Sequence, residues 1–525
     1  MIDVAVASVS GEEEPATYPK AAPYHPGTAY PEYPFGDAIS NEPNIAYDLV
    51  RRCFVSLGYD KENYGSDRWN PLGHIVKPGM RVVIKPNFVL SRHNEGGDIW
   101  SIITHPSVMR AVADYCYIAM GGKGTLEFAD APQYNCNFEE LMEVTRLREV
   151  AKFLASKDGF QCDALDLRNY WSPRRHQYSQ LKYLTGDPRG SFKIDLGNES
   201  ALCEKSHENF YGAVYQRQET ISHHNNETHE YMLSRTHYDA DVFISVPKLK
   251  VHKKVGVTLN AKGMVGTATN KNYLVHYTLK TPSESGDQYP DGWLSAWETF
   301  CIKTERWMYD TFLARKSYVA DYIHRSLYWL QIHTIGKKGL GLGLPAHKRI
   351  LDAGNWYGND SAWRMTLDLL RAIYFGYDSG FHKNRKRKMF TVVDGIIGGD
   401  NRGPLEPDAR HSGLVLAGED FLATDLVATR LMGFDPLKVK TYEMALKDPY
   451  FDFGVKSLSD IHIVSDDPNY VGCLEDFNQA FADYLPHPGW IGQLEVGGAA
   501  DGNIDYEKAV KMSLARSAEF RGLGH

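Results

Sequence analysis

The stretch from residue 241 to residue 266 (DVFISVPKLKVHKKVGVTLNAKGMVG) constrains the fold more than any other part of the chain. It begins with the β-branched and aromatic run Val242–Val246, which has strand length and ends at Pro247, a residue that cannot donate to a sheet ladder. Five basic residues follow within seven positions: Lys248, Lys250, His252, Lys253 and Lys254. We predict a buried strand that ends in a cationic loop, where an open α/β sheet can bind an anionic ligand.

A solvated basic turn is the alternative interpretation of this lysine cluster. Asn260, Gly263 and Gly266 favour a ligand site, because glycines let the backbone approach a ligand closely. The stretch contains neither GxxxxGKS nor GxxxxGKT, so a Walker A phosphate loop is excluded.

Strand and helix patterns alternate on both sides of this stretch. Residues 80–84, 125–128 and 390–393 have strand composition, and amphipathic helical patterns cover 104–115 and 138–153. The alternation predicts an α/β fold with a mostly parallel, doubly wound sheet.

Three segments interrupt the alternation. Residues 11–42 are rich in Pro, Tyr and Gly and predict an irregular arm, and the short alternating runs of residues 168–235 predict a small antiparallel excursion. Aromatic stripes at helical spacing predict a helical insertion, or lid, over residues 268–388. The α/β core is then expected to comprise residues 1–267 and 389–525.

The composition narrows the class of protein. A formal net charge of -8 argues against a nucleic-acid binder, which would be basic, and leaves the lysine cluster as a local feature suited to a small anionic partner. No apolar run approaches the roughly 18–20 residues of a membrane span, and the N-terminus has no signal-peptide pattern. We therefore expect a soluble, cytoplasmic protein; the sequence does not predict its oligomeric state.

The seven cysteines are scattered and form no CxxC pair. Neither an iron–sulfur cluster nor a disulfide framework is expected from them.

The residues expected to form a site are those that follow predicted strands. For acid–base catalysis we nominate His252, His105 and Asp394, because a desolvated imidazole or carboxyl group can titrate near neutral pH. For binding the anion we nominate Lys85, Asn87, Lys248, Lys250, Asn260, Lys262, Gly263 and Asn401. The prediction places Lys85, Lys248, Lys250, His252 and Lys262 in one cleft with Asp394 at its rim.

A divalent metal is left open as a cofactor, with Asp130, Asp394 and Asp425 as candidate ligands. The histidines of the segment SHHNNETH (His223, His224 and His229) lack a helical i,i+4 pair, so a polar loop is favoured there over a metal site.

Several of these motifs together resemble one known family, domain of unknown function 362. They are VVIKPNF (82–88), THPSV (104–108), ADVFISVPKLKVH (240–252), VTLNAKGMVG (257–266), VVDGIIGGDNRGP (392–404) and GLVLAGEDFLATDLVATRLMGFDP (413–436). They stand in the family's order, and residues 268–388 interrupt them as in the family's long form.

The resemblance implies a fold and a set of motifs but no reaction. Some members carry a ferredoxin module, whose cysteines this chain does not contain. Long members are similar to proteins encoded among surface-polysaccharide genes. The resemblance therefore implies a substrate connected with surface polysaccharides.

Three functions stay open at this point. The first is an enzyme that acts on a phosphate- or carboxylate-bearing metabolite by Lys/His chemistry, with transfer, elimination and isomerisation as alternative reactions. The second is a non-catalytic ligand-binding or redox-accessory protein. The third is a cofactor-dependent isomerase similar to the lactate-racemase class, an analogy at the level of fold.

Overall fold

The computed structural model describes residues 1–9, 16–173, 180–214, 216–313, 317–330, 346–478, 482–499 and 501–522. The strands of these residues are β1 Ile2–Ser8, β2 Arg81–Pro86, β3 Gly124–Asp130, β4 Phe160–Asp166, β5 Tyr170–Trp171, β6 Lys182–Tyr183, β7 Ser191–Asp195, β8 Phe210–Gly212, β9 Glu230–Ser234, β10 Val242–Val246, β11 Lys248–His252, β12 Gly256–Val257, β13 Val275–Thr278, β14 Gly376–Tyr377, β15 Gly380–Phe381, β16 Met389–Asp400, β17 Asp408–Gly418, β18 Ile461–Ser465 and β19 Gly472–Cys473. The α-helices are α1 Ile45–Ser56, α2 Pro106–Ala119, α3 Phe138–Thr145, α4 Leu147–Ala155, α5 Arg217–His223, α6 Arg235–Tyr238, α7 Leu259–Gly263, α8 Ala296–Met308, α9 Tyr318–Leu330, α10 Ala346–Arg349, α11 Ala362–Phe375, α12 Phe421–Leu431, α13 Lys440–Leu446 and α14 Tyr506–Gly522.

A large, mostly parallel sheet forms the centre, in the order β19-β18-β1-β17-β16-β10-β2-β3-β4. Strands β16, β10, β2, β3 and β4 run parallel to one another, with Phe390 beside Ile244 and Ile244 beside Ile84. β17 is antiparallel to both β1 and β16. The α/β fold predicted from strand–helix alternation is confirmed.

Both faces of the sheet are buried, which explains the apolar character of its strands. Ile84 and Ile244 face one core with α1 and α2, while Val83 and Phe243 face the other core with α11 and α12. Burial on both faces is usual for parallel sheets flanked by helices.

Two predicted loops are strands instead. Lys248–His252, expected to be a cationic loop, is the buried strand β11, parallel to the second half of β16. The glycine-rich residues after Val393, also expected to be a loop, continue β16 as far as Asp400. Glycine is required there because a Cβ on Gly399 would lie 2.7 Å from the Lys250 Cβ, so the two strands could not approach.

Small antiparallel sheets lie outside the central one, formed by β5–β6, β7–β9, β8–β13 and β14–β15. β13 belongs to the segment expected to be a helical insertion, yet it pairs with β8 of the antiparallel excursion. The rest of the described insertion is largely helical, with α8, α9, α10 and α11. Within the described ranges, no helix has the length and apolarity needed to cross a membrane.

Candidate functional site

A cavity of about 200 Å³ lies where β2 and β3 end, beside α7 and the β8–β13 sheet. Its volume is below the roughly 300–1,000 Å³ of pockets for drug-sized ligands, so it suits a small metabolite. The side chains that bear on its chemistry are Lys85, Asn87, Asp130, Tyr211, Lys250, His252, Lys253, Lys254, Thr258, Lys262, Lys271, His276, Tyr277 and Arg306.

The lining carries far more positive than negative groups. Among its described residues are six lysines and one arginine but a single carboxylate, that of Asp130. Arg306 is already neutralised by an ion pair with Asp352, outside the lining. The remaining lysines favour an anionic ligand, which would stabilise their charged forms.

Lys85 and Asp130 form a buried ion pair at the ends of adjacent parallel strands. The Lys85 Nζ lies 3.0 Å from the Asp130 Oδ1, and the Phe88 backbone N–H donates to the Asp130 Oδ2 at 2.8 Å. Burial raises the pKa of Asp130, and the neighbouring Lys85 and Lys271 oppose that rise. Gly266 packs directly on the pair, so that a Cβ there would lie 2.0 Å from the Asp130 Oδ1.

Lys262 and Lys271 are both buried, and burial lowers the pKa of each to about 7. The Lys271 Nζ donates to the carbonyl oxygens of Val265 and Ala268 at 2.7 and 2.9 Å, and so fixes the turn that carries Gly266. Within the described ranges, the Lys262 ammonium has neither a hydrogen bond nor an ion pair. Lys271 therefore has a structural role, whereas Lys262 is available to a ligand.

Lys250 and Lys254 also point toward the cavity from buried positions. The Lys250 ammonium donates to the Ile102 carbonyl oxygen and the Lys254 ammonium to the Ala353 carbonyl oxygen. Burial and nearby lysines lower the pKa of both amines well below the ordinary value. An anion in the cavity would restore their charged forms.

His252 and His276 are held in opposite tautomers. The His252 Nδ1 accepts from the Lys254 backbone N–H at 3.1 Å, so its proton resides on Nε2. The His276 Nδ1 lies 3.1 Å from the Leu274 carbonyl oxygen, which can only accept, so Nδ1 carries the proton and Nε2 a lone pair. Burial and the Lys262 charge lower the pKa of both rings well below the ordinary value, so both are neutral at pH 7. The cavity thus contains one imidazole donor and one imidazole acceptor.

Two further polar groups in the lining are buried without a partner in the described part of the chain. They are the Asn87 Oδ1 and the Thr258 Oγ1. Such atoms cost free energy unless something hydrogen-bonds to them, so they point to a ligand or to water.

Asn260 and Asp425 position α7 rather than lining the cavity. The Asp425 carboxylate accepts from the backbone N–H groups of Asn260 and Ala261 at 2.9 and 2.8 Å and from the Asn260 side chain at 2.8 Å. Burial raises the pKa of Asp425 to about 7. Through these bonds α12 fixes the short helix that carries Lys262 and Gly263.

A second buried cluster contains three of the nominated residues: Lys248, expected in the cleft, Asp394, expected at its rim, and His105, nominated for acid–base catalysis. The Asp394 carboxylate accepts from the Tyr18 hydroxyl at 2.6 Å, the Lys248 Nζ at 3.0 Å and the His105 backbone N–H at 2.9 Å. The Tyr18 and His105 rings stack with centroids 4.1 Å apart. The prediction that Lys248 shares the cleft, with Asp394 at its rim, is therefore wrong.

A register shift explains the separation of Lys248 from Lys250. Lys248 is opposite Asp394 of β16 but Lys250 is opposite Gly399, so a bulge lies between them. Bulges re-aim side chains that would otherwise share a face.

Replacing Asp394 with asparagine should lower the free energy of unfolding by about 3 kcal/mol, because it leaves the fully buried Lys248 ammonium without a counter-ion. Urea unfolding followed by fluorescence measures the change. Glu149→Gln, which breaks the exposed Arg146–Glu149 pair, is the control and should cost less than about 1 kcal/mol. Equal losses in the two variants would contradict a structural role for the Asp394 cluster.

Asn401 and Gly263 are also among the nominated anion-binding residues, and one of them lies in the cavity wall. Asn401 lies outside the cavity, where its side-chain amide bonds Asp408, Ser513 and Ser517 and so fixes α14 to β17. Gly263 lines the cavity, and a Cβ added to it would meet nothing within 4 Å.

The candidate metal ligands are each engaged by protein groups. Asp130 pairs with Lys85, Asp394 with Lys248, and Asp425 with backbone N–H groups. No group of three His, Cys, Asp or Glu side chains in the described ranges is arranged to hold a metal ion, including the segment with His223, His224 and His229.

Sequence reasoning missed Lys271, His276 and Arg306 because residues 268–388 were assigned to a helical insertion. The alternation in LVHYT (274–278) was the available signal for the strand that carries His276. Nothing local in the sequence distinguishes Arg306 from the other charged residues of α8.

Residues 197–430 match the model of a family described as domain of unknown function (DUF362). The match includes the segments 240–252 and 257–266, which contain β11 and α7 of the site, and the segment 392–404, which contains most of β16. No curated protein and no solved structure matches the chain. The resemblance to the domain of unknown function 362 is confirmed for residues 197–430, and the motifs at 82–88 and 104–108 lie outside the match.

Proposed function

We propose that this protein is an enzyme that binds a small phosphate- or carboxylate-bearing metabolite in the lysine-rich cavity and acts on it by acid–base chemistry. The observation that carries the proposal is the Lys262 ammonium, buried in a cationic cavity with no protein partner in the described part of the chain. A protein interior accepts such a group only at a cost in free energy, which an anionic ligand would offset.

The imidazoles of His252 and His276 supply groups for acid–base chemistry. The His276 Nε2 lone pair can accept a proton from the ligand, and the His252 Nε2–H can donate a hydrogen bond to a ligand oxygen. Lys262, with a pKa of about 7, can serve as either acid or base. Removing a proton at one position and delivering one at another balances an isomerisation or an elimination.

The compartment and the metabolic context of the reaction are part of what we propose. The described cysteines are free thiols, which agrees with a reducing cytoplasm. The resemblance to long members of the family supports a substrate from surface-polysaccharide or secondary metabolism.

The test is anion binding by the whole protein. Phosphate, diphosphate and citrate are added at ionic strength matched with chloride, and binding is followed by calorimetry and melting temperature. We expect saturable binding with the tightest dissociation constant for the ligand with the most charges. A ligand at about a hundred times its dissociation constant adds roughly 2.7 kcal/mol to the stability of the protein. If all anions act like chloride, the proposal fails.

Anion binding should be coupled to proton uptake. Burial and mutual repulsion lower the pKa of Lys250 and His252 in the empty cavity, and a bound anion raises it again. Protons are therefore taken up on binding, and affinity should fall as the pH rises through about 7, where Lys262 loses its charge. Calorimetry in buffers with different ionisation enthalpies measures the uptake, and its absence would contradict the charge states assigned to the cavity.

A further inference from the structure

Helices α8 and α9 expose an unusual concentration of large apolar side chains. Of the nineteen large hydrophobic residues exposed in the described part of the chain, nine lie between residues 297 and 329. They include the three exposed tryptophans, Trp297, Trp307 and Trp329, with exposures of 45%, 59% and 57%. A patch of this kind marks an interaction surface.

The exposed side chains follow helical spacing. On α9, Tyr318, Tyr322 and Trp329 recur at i, i+4 and i+11, so they share one face of the helix. On α8, Trp297 and Phe300 stack with ring centroids 5.5 Å apart, and Trp307 follows two turns later. We call these six residues the aromatic face.

The opposite side of α8 is packed against the protein. Ile302 is buried, and Arg306 lines the cavity and pairs with Asp352. The three aromatic residues of α8 are thus on the outward side of a docked helix.

The charges around the aromatic face are unequal in sign. Glu298 pairs with Lys348, Glu305 with Arg349 and Asp310 with Arg217. In contrast, Lys303 and Arg325 are exposed and have no carboxylate partner in the described ranges. The free charges beside the apolar surface are therefore positive, although the whole chain is acidic.

We propose that the aromatic face docks on the surface of an anionic lipid bilayer, with α8 and α9 lying in the interface. Trp and Tyr are the residues that favour this depth, where one end of the ring is apolar and the other is wet. Lys303 and Arg325 would meet the anionic headgroups. A symmetric contact with a second copy of the chain is less favourable, because both copies would bring the same cations to the contact.

Sedimentation with vesicles tests the docking. The whole protein is mixed with vesicles of phosphatidylcholine alone or with added phosphatidylglycerol, at low and high salt. We expect at least about tenfold more bound protein on the anionic vesicles, decreasing as salt screens the charges. Binding that is absent, or equal on both kinds of vesicle, would overturn the proposal.

Variants locate the contact. Trp307→Ser with Trp329→Ser, and separately Lys303→Glu with Arg325→Glu, should each reduce vesicle binding by about tenfold or more. The matched controls are Leu437→Ser with Tyr450→Ser for exposed apolar area, and Lys61→Glu with Lys123→Glu for the same change in net charge. Equal effects of variants and controls would overturn the assignment.

Light scattering decides between a membrane and a second copy. If the protein is a dimer that Trp307→Ser with Trp329→Ser converts to a monomer, the aromatic face is a subunit interface and the membrane proposal is wrong. Diphosphate affinity should not change in these variants, because none of their residues lines the cavity. Failure of the docking proposal is thus distinguishable from failure of the proposed function.

Discussion

Replacing Lys262 with methionine should weaken diphosphate binding by roughly 10- to 150-fold, which corresponds to the loss of one hydrogen bond to a charged group, about 1.5–3 kcal/mol. The same variant should make the empty protein more stable. Burial lowers the pKa of Lys262 from 10.5 to about 7, and such a shift costs on the order of 4 kcal/mol at neutral pH. The cost is present at pH 7 and fades as the pH rises toward 10.5, because the unfolded state then also loses the proton.

The control for Lys262→Met is Lys271→Met. Both lysines are buried in the cavity wall with a pKa of about 7, but the Lys271 Nζ bonds two carbonyl oxygens. Removing either lysine relieves a similar burial cost, but Lys271→Met also removes two hydrogen bonds from a charged donor, so its free energy of unfolding should be lower than that of Lys262→Met by at least about 2 kcal/mol. Urea unfolding and calorimetry are run on both variants. If Lys262→Met is no more stable than Lys271→Met and leaves binding intact, Lys262 is a structural residue and the proposed function loses its main support.

Replacing Gly266 with alanine should be the most damaging single-methyl change in the site. The new Cβ would lie 2.0 Å from the Asp130 Oδ1 and 2.6 Å from the Lys85 Nζ, so the buried ion pair must separate or the turn must move. Disrupting a buried pair costs about 3–5 kcal/mol, and overpacking adds to that. We expect the free energy of unfolding to drop by at least about 3 kcal/mol, with anion binding lost because Lys85 is displaced.

Gly263→Ala provides the matched control three residues earlier in the same motif. Gly263 has an ordinary helical φ of -57°, and its added Cβ would meet nothing within 4 Å. Alanine there should leave stability unchanged or raise it by up to about 1 kcal/mol. A thermal or urea midpoint that falls equally in Gly266→Ala and Gly263→Ala would contradict this explanation. It would show that contact with the Lys85–Asp130 pair is not the reason for glycine at position 266.

The variants of the Asp394 cluster and of the cavity distinguish two roles of buried charged groups in this protein. The Asp394 cluster is closed, since its carboxylate is surrounded by Tyr18, Lys248 and the His105 backbone. The cavity is open in the sense that Lys262, His252 and His276 keep atoms without protein partners in the described ranges. Polar residues of the Asp394 cluster should therefore govern the stability of the fold, and those of the cavity should govern ligand affinity.

The sequence by itself determined the sheet and the side of it on which the cavity lies. Short, largely apolar runs such as Val242–Val246 are typical of strands buried on both faces, and their alternation with amphipathic helices favours parallel neighbours. Lys85, Lys250, His252 and Lys262 each follow or end such a strand, so their convergence was predictable from the direction of the strands.

The tertiary structure decided which of the polar residues face the cavity. Lys248 and Lys250 stand two positions apart, and a local pattern would place them on one face, yet a shift in the pairing with β16 places Lys248 beside Asp394. The pairing of β13 with β8 brings His276 into the cavity from a segment predicted to be helical. Strand register and side-chain partners depend on contacts between residues far apart in the chain, and these contacts leave no signal in local composition.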